Sequence, residues 1–400
     1  GMFDPPERVP YAQIPAEVND CPEHRALALR MAQESIVLLK NEDGVLPLSK
    51  EIRKIAVIGP NADDPLVLLG NYHGTPSSSV TPLEGIKRKV GATAEVVYAK
   101  GCEIRSDDTS GFSAALAVAR DADVIVAVVG LSQLIEGEEG QREGVAGGQR
   151  SSGDRETLEL PGVQRELLQA LYETGRPLVV VLMNGSAVAV NWAADHAAAI
   201  VELWYPGEEG GTALADVLFG DYNPAGRLPV TFYESVDQLP PFRDYAAEGH
   251  TYRYFRGKPL YPFGYGLSYT SFAYDGLVLS DSTLSPGTAL TVRVTVKNVG
   301  GRAGDEVIQL YLADTEATVP VPLRQLVGFQ RIHLAAGEAQ EVSFTVTPRQ
   351  MSVVLEDGRR AVEPGRFTLF VGGGQPGTGA SGVSASFEVV GDSIWMVPAS

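Results

Sequence analysis

DVIVAVVGLSQLIEGEEG, residues 123–140, joins two unlike pieces. Its first eight residues are an apolar run that closes on Gly130, and the remainder crowds Glu136, Glu138 and Glu139 into four positions. An apolar run of this length without alternation predicts a strand buried on both faces, the habit of parallel sheets covered by helices. In open sheets of that kind ligands bind outside the carboxyl ends of the strands, and the glutamates fall on the loop leaving such an end.

The same signature recurs along the chain. KIAVIGP (54–60), AEVVYA (94–99), PLVVVLMNG (177–185) and AIVELWYPG (199–207) are further apolar runs. Amphipathic spacing near 81–89, 112–121, 162–174 and 211–219 predicts helices between them. Residues 22–40, PEHRALALRMAQESIVLLK, also carry apolar residues at helical spacing, with Pro22 and Glu23 suited to a first turn. Strands alternating with helices predict an α/β fold, a mostly parallel sheet sandwiched by helices, over residues 22–235. Residues 1–21 begin GMFDPPERVPYAQIP, without strand or helix period, and read as a linker that follows something else and lies on it. Residues 236–271 are rich in aromatics, Gly and Pro and predict an ordered connection packed by its own tyrosines. From 272 to 400 the period becomes two, as in ALTVRVTVKNVG and EVIQLYLAD, and predicts an all-β sandwich.

The 400 residues carry a formal net charge of -18, with 44% hydrophobic and 20% charged residues. That charge argues against nucleic acid or an anionic membrane as partner, since both select a basic face. There is no apolar run of about 18 residues to cross a bilayer. Cys21 and Cys102 are read as free thiols, with one disulfide between them left open for an exported chain. Gly1 precedes Met2, which suggests a tag remnant or a chain cut from a longer one. The compartment is therefore open, with the periplasm or the exterior favoured over the cytoplasm. Oligomeric state is equally open, a homodimer included.

Several chemistries drop out on motif grounds. The residues after Gly59 are Pro, Asn and Ala, so the dinucleotide fingerprint is absent, and no phosphate-binding loop or nucleophile elbow occurs. The five histidines have no ligand spacing, and no metal or cofactor is expected. His73, in LLGNYHGTP, stands alone in a Gly-flanked loop after a strand-like run. Neighbouring carboxylates raise one another's pKa, so the cluster at 136–139 suits a group that must hold a proton near neutrality. A solvated acidic loop is the competing reading. Asp154-Arg155 suits either a charge pair orienting the far end of that loop or a helix start capped by Asp154. Trp204 and Tyr205 suit either sugar stacking or core packing.

Taken together, ESIVLLKNEDGVLPL, KIAVIGPNAD, GDRETLELPGVQRELL, YPGEEGGTALADVLFGDYNPAGRLPVTFY and YPFGYGLSYTSF resemble, in order, the C-terminal half of glycoside hydrolase family 3. LLGNYHGTPSSSVTPLEGI and GLSQLIEGEEG look most like its β-xylosidase branch. The resemblance implies a (β/α)8 barrel followed by an α/β-sandwich domain and a fibronectin type III-like domain, of which this chain carries the last two. It implies retaining exo-hydrolysis of β-linked xylose from xylo-oligosaccharides, with β-glucosidase activity as the alternative within the family and an inert structural or carbohydrate-binding fragment as the alternative outside it. The family's nucleophile is an Asp on the barrel, so no residue here takes that role. Its general acid/base maps onto Glu138, with Glu136 and Glu139 as fallbacks, because the insertion GQREGVAGGQRSS separates the glutamates from Asp154-Arg155. Asn71, Tyr72 and His73 are expected near the substrate, a β-linked oligosaccharide or glycoside. The barrel, on the same or another chain, is the expected protein partner.

Overall fold

The computed structural model describes residues 1–136 and 155–396. Five parallel strands, β2 (Lys54–Ile58), β3 (Glu95–Ala99), β4 (Val124–Gly130), β5 (Leu178–Met183) and β6 (Ala199–Glu202), form most of one sheet. A further strand, β1 (Val37–Asn41), closes the sheet antiparallel to β6, giving the order β1-β6-β5-β4-β2-β3. Strands β4, β5 and β6 are buried along their whole length, which is why their sequences read as continuous apolar runs.

Alternate residues of each strand serve opposite faces. Val57, Val126, Val128 and Val181 pack with residues of α1 (Pro22–Ser35), α2 (Pro82–Val90) and α6 (Gly210–Leu218). Ile58, Ile125, Ala127 and Val180 pack with α3 (Phe112–Arg120), α4 (Gln164–Tyr172) and α5 (Asn191–His196). Each fully buried Val, Leu or Ile contributes roughly 1.5–3 kcal/mol, so these two layers hold the sheet rigid beneath its loops.

The helix expected over 22–40 stops at Ser35. Ile36 to Leu39 are consecutive apolar residues, all buried, and no single helix stripe buries four in a row. Val37–Asn41 pairs instead along β6, from Val37 opposite Glu202 to Asn41 opposite Ala199.

Residues 1–21 form three short 3-10 turns with no buried residue, and Met2, Phe3 and Tyr11 stand exposed. Aromatic rings pack against one another within and beside residues 236–271. Tyr252, on the single-turn helix α7 (Thr251–Tyr254), stacks on Phe263 with centroids 4.0 Å apart, and Tyr233 meets Phe255 edge-on at 5.0 Å.

Beyond it come β7 (Phe272–Leu279), β8 (Thr283–Leu284), β9 (Leu290–Asn298), β10 (Gly304–Asp314), β11 (Gln325–Leu334), β12 (Ala339–Val346), β13 (Val353–Val354), β14 (Arg360–Val362), β15 (Gly365–Gly372), β16 (Gly382–Val389) and β17 (Ile394–Met396). A sheet β11-β10-β15-β16-β8 faces a sheet β12-β9-β7 across Val292, Val294, Leu310, Leu369 and Phe387. Along β9 every second residue is buried, as its alternating sequence requires.

Polar contacts lock the sandwich to the α/β unit. Arg227 pairs with Glu306 at 2.8 Å, with both side chains over nine-tenths buried. Gln309 Nε2 donates to the Gly264 carbonyl at 2.9 Å. Gly264 has φ 78°, and a Cβ there would lie 2.3 Å from Gln309 Oε1, so glycine is what permits this approach.

Candidate active site

The carboxyl edge of the parallel sheet gathers the chemistry. Gly130 ends β4 at φ 147°, and a Cβ on it would stand 2.0 Å from the Met183 carbonyl oxygen. Glycine therefore lets β4 and β5 run side by side to their ends before residues 131–136 turn away. Asn61, fully buried after β2, donates Nδ2 to the Leu131 carbonyl at 2.7 Å and fixes the start of that turn.

Glu136 is held by this edge from several sides. The backbone N–H groups of Gly185 and Ser186, in the turn after β5, donate to its two carboxylate oxygens at 2.7 and 2.8 Å. The Ser186 and Tyr205 hydroxyls donate to the same pair of oxygens. Asn71 Nδ2 donates to the Glu136 backbone carbonyl at 2.7 Å. Burial, then the adjacent Glu136 charge, push the Tyr205 hydroxyl well above its ordinary range, which keeps it a donor.

Arg155 resumes the described chain and reaches the same turn. Its Nη1 donates to Ser186 Oγ at 2.9 Å and to the Ala187 carbonyl at 3.1 Å. Burial lowers its pKa from the ordinary value, and the nearby Glu136 carboxylate opposes that shift. Glu136 and Arg155, the described residues on either side of 137–154, thus both contact residues 185–187. Glu138, Glu139 and Asp154 fall within that segment and lie outside the described residues.

Of the other expected residues, Asn71 meets Glu136, while Tyr72 is exposed with φ 60° and His73 contacts the Gly74 carbonyl through Nδ1. Trp204 packs edge-on against Phe232 and donates Nε1 to the Ser35 carbonyl at 3.0 Å, so its ring is engaged in packing. Cys21 and Cys102 are free thiols, the latter buried, which pushes it up to about 11.

Glu202 was missed from the sequence, although a carboxylate inside AIVELW was a visible anomaly. It is fully buried at the end of β6, where its oxygens accept from the Trp204 N–H at 3.0 Å and Asn184 Nδ2 at 3.1 Å. Burial raises its pKa well above 4.5, the Glu136 charge adds to the rise, and the two hydrogen bonds oppose it. The folded chain thus keeps a proton that the unfolded chain loses near 4.5. Its contribution to stability is full below that pH and is lost as pH rises through the folded value. Glu202→Gln, which has no proton to lose, is expected to remove this loss. Urea midpoints from pH 4 to 8 should diverge in the variant's favour as pH rises, and parallel profiles would contradict the assignment.

Residues 36–269 match the family description glycosyl hydrolase family 3 C-terminal domain, and residues 306–375 match fibronectin type III-like domain. A β-xylosidase of Formosa agariphila is 40% identical over 385 residues, covering 93% of this chain and 51% of that protein. A periplasmic β-glucosidase of Salmonella typhimurium is 38% identical, with 93% and 52% covered. Among solved structures, a GH3 exo-β-xylosidase in complex with a xylobiose aziridine activity-based probe superposes with TM-score 0.82 at 31% identity, covering 97% of this chain and 51% of that one. A β-glucosidase from Erythrobacter marinus gives TM-score 0.81 at 36% identity, with 95% and 53% covered. The chain spans about half the length of the relatives it matches.

Proposed function

The chain belongs to glycosyl hydrolase family 3, and from that premise we propose that it supplies the general acid/base half of a retaining β-glycosidase site, acting on β-linked xylose at the non-reducing end of xylo-oligosaccharides. Glu138 is the proton carrier in this reading. The observation that supports it is the pair of contacts on either side of that glutamate in the sequence: Glu136 and Arg155 both bind residues 185–187 at the carboxyl edge of the sheet. Glu136 itself is occupied, since both its oxygens already accept hydrogen bonds from the protein. Among the three clustered glutamates it serves as the anchor of the segment.

The reaction runs as a double displacement. An Asp of the barrel attacks the anomeric carbon and forms a glycosyl ester, while Glu138 gives its proton to the departing oxygen. Glu138, now ionised, takes a proton from the water that attacks the ester and releases the sugar. Retention requires the two carboxyl groups roughly 5–5.5 Å apart, so the barrel must approach the 137–154 segment closely. Xylose is preferred over glucose on the likeness of LLGNYHGTPSSSVTPLEGI and GLSQLIEGEEG to the β-xylosidase branch, and the two relatives above carry one name of each kind.

The isolated 400-residue chain is expected to show no turnover of nitrophenyl xyloside or nitrophenyl glucoside, whereas the chain joined to its barrel turns over the xyloside faster. Hydrolysis by the purified isolated chain would mean that the nucleophile is not on the barrel.

A further inference from the structure

The aromatic connection and the sandwich line an open cleft of about 790 Å³ that the acid/base chemistry does not use. No residue holding Glu136 lines it. The volume falls within the roughly 300–1,000 Å³ of small-molecule sites. Its charge is opposite to that of the whole molecule. Arg256, Lys258 and Arg324 line it, and no Asp or Glu does, in a chain of net charge -18.

These cations have no carboxylate partner among the described residues. Arg324 is the most telling, because it is half-buried on the sandwich side and burial lowers its pKa from the ordinary value, opposed by the Tyr311 hydroxyl and by no carboxylate. A desolvated guanidinium without an anion is an incomplete arrangement, and its planar fork matches an oxyanion. Gln375, also on the wall, is 6% exposed, and its buried Oε1 has no donor among the described residues. Tyr252 adds a fixed ring. It is clamped by its stack on Phe263, and its hydroxyl accepts from the Leu326 N–H at 3.0 Å.

An anion held by Arg324, an acceptor at Gln375 waiting for a hydroxyl, and an immobilised aromatic wall are together the recognition set for a sugar ring that bears a carboxylate. We infer that this cavity binds an acidic monosaccharide, a uronate, at a site separate from the glycosidase chemistry. Binding of an oxyanion follows from the cavity alone, and the sugar ring rests in addition on the glycosidase reading.

Calorimetric titration of the 400-residue chain with glucuronate, glucose and inorganic phosphate tests it. Glucuronate is expected to bind saturably and at least tenfold more tightly than glucose, with affinity falling as salt is raised. Arg324→Gln is expected to lose at least tenfold. Lys258→Gln, at an exposed position, is expected to lose severalfold. Glucose binding as well as glucuronate, or glucuronate affinity unchanged in both variants, would overturn the proposal. Phosphate binding without glucuronate binding would overturn the sugar assignment. Because the readout is binding, a parent enzyme that hydrolyses no glycoside would sink the glycosidase reading and leave this site standing.

Discussion

Glu138→Gln, in the chain joined to its barrel, is expected to lower kcat by about 10²–10⁴-fold on xylosides with poor leaving groups, and added azide is expected to restore turnover where the leaving group is good. The two observations report different steps. An alkoxide leaving group needs a proton in the first step, and an amide has none to give. A nitrophenolate leaves unaided, so the glycosyl ester accumulates and the second step limits. That step needs a base to take the proton from water. Azide needs no base, and it attacks the same carbon to give the β-xylosyl azide, which NMR identifies. Glu136→Gln should behave otherwise. It removes one carboxylate oxygen from a cradle made by the Gly185 and Ser186 N–H groups and two hydroxyls, and a small anion in solution does not repair a lost tether. If the azide product appears with Glu136→Gln and not with Glu138→Gln, the register of the catalytic glutamate is off by one Gly-Glu step.

Which parts of this protein were readable from its residues follows from how local their causes are. The buried strands were visible because each satisfies its hydrogen bonds with neighbours on both sides and can afford to be apolar throughout, as β4 and β5 are. The sandwich was visible because burial of alternate residues along β9 leaves a period of two. Strand β1 was not separated from α1, because ALALRMAQES runs into IVLL with no Gly or Pro between them, and the boundary is set by pairing with β6, more than 150 residues away. The site divides the same way. The acidic cluster and Arg155 stood out in the sequence, whereas the turn 185–187 that grips Glu136 and Arg155 is an ordinary Gly-Ser-Ala that acts through two backbone N–H groups, one carbonyl and one hydroxyl, which no side-chain pattern singles out. Glu202 was readable as an anomaly but not as an acid of raised pKa. The rise follows from complete burial and, less, from the Glu136 charge, and both depend on the assembled sheet edge.

Arg227→Ala carries the largest expected loss of stability, about 3–5 kcal/mol, because it strands a buried charge. Glu306 is almost completely buried on β10, and its partner is the Arg227 guanidinium at 2.8 Å. Its Oε1 also accepts from the Val307 N–H at 2.9 Å, which cannot neutralise a full charge. Arg227 does more than pair: its Nε and Nη1 donate to the carbonyls of Gly373, Ala225 and Gly226. One side chain thus ties the end of the α/β unit to β10 and to the residue that follows β15. Removing it leaves an unpaired carboxylate and takes the donor from the Ala225 and Gly226 carbonyls, while Gly373 keeps Gln309 Nε2 at 3.2 Å. The double variant Arg227→Met with Glu306→Leu should recover much of the loss, since an apolar pair of similar volume avoids the desolvation cost of both ions. Urea unfolding followed by tryptophan fluorescence and by sandwich-specific proteolysis would read both effects. The single variant is expected to release the sandwich at lower urea than the α/β unit, with the two probes no longer coincident. A single variant within about 1 kcal/mol of the parent would mean that water reaches Glu306 in solution and that the junction is held by the surrounding contacts, Gln309 on Gly264 and Arg331 on Asp305 and Tyr222, rather than by the buried pair.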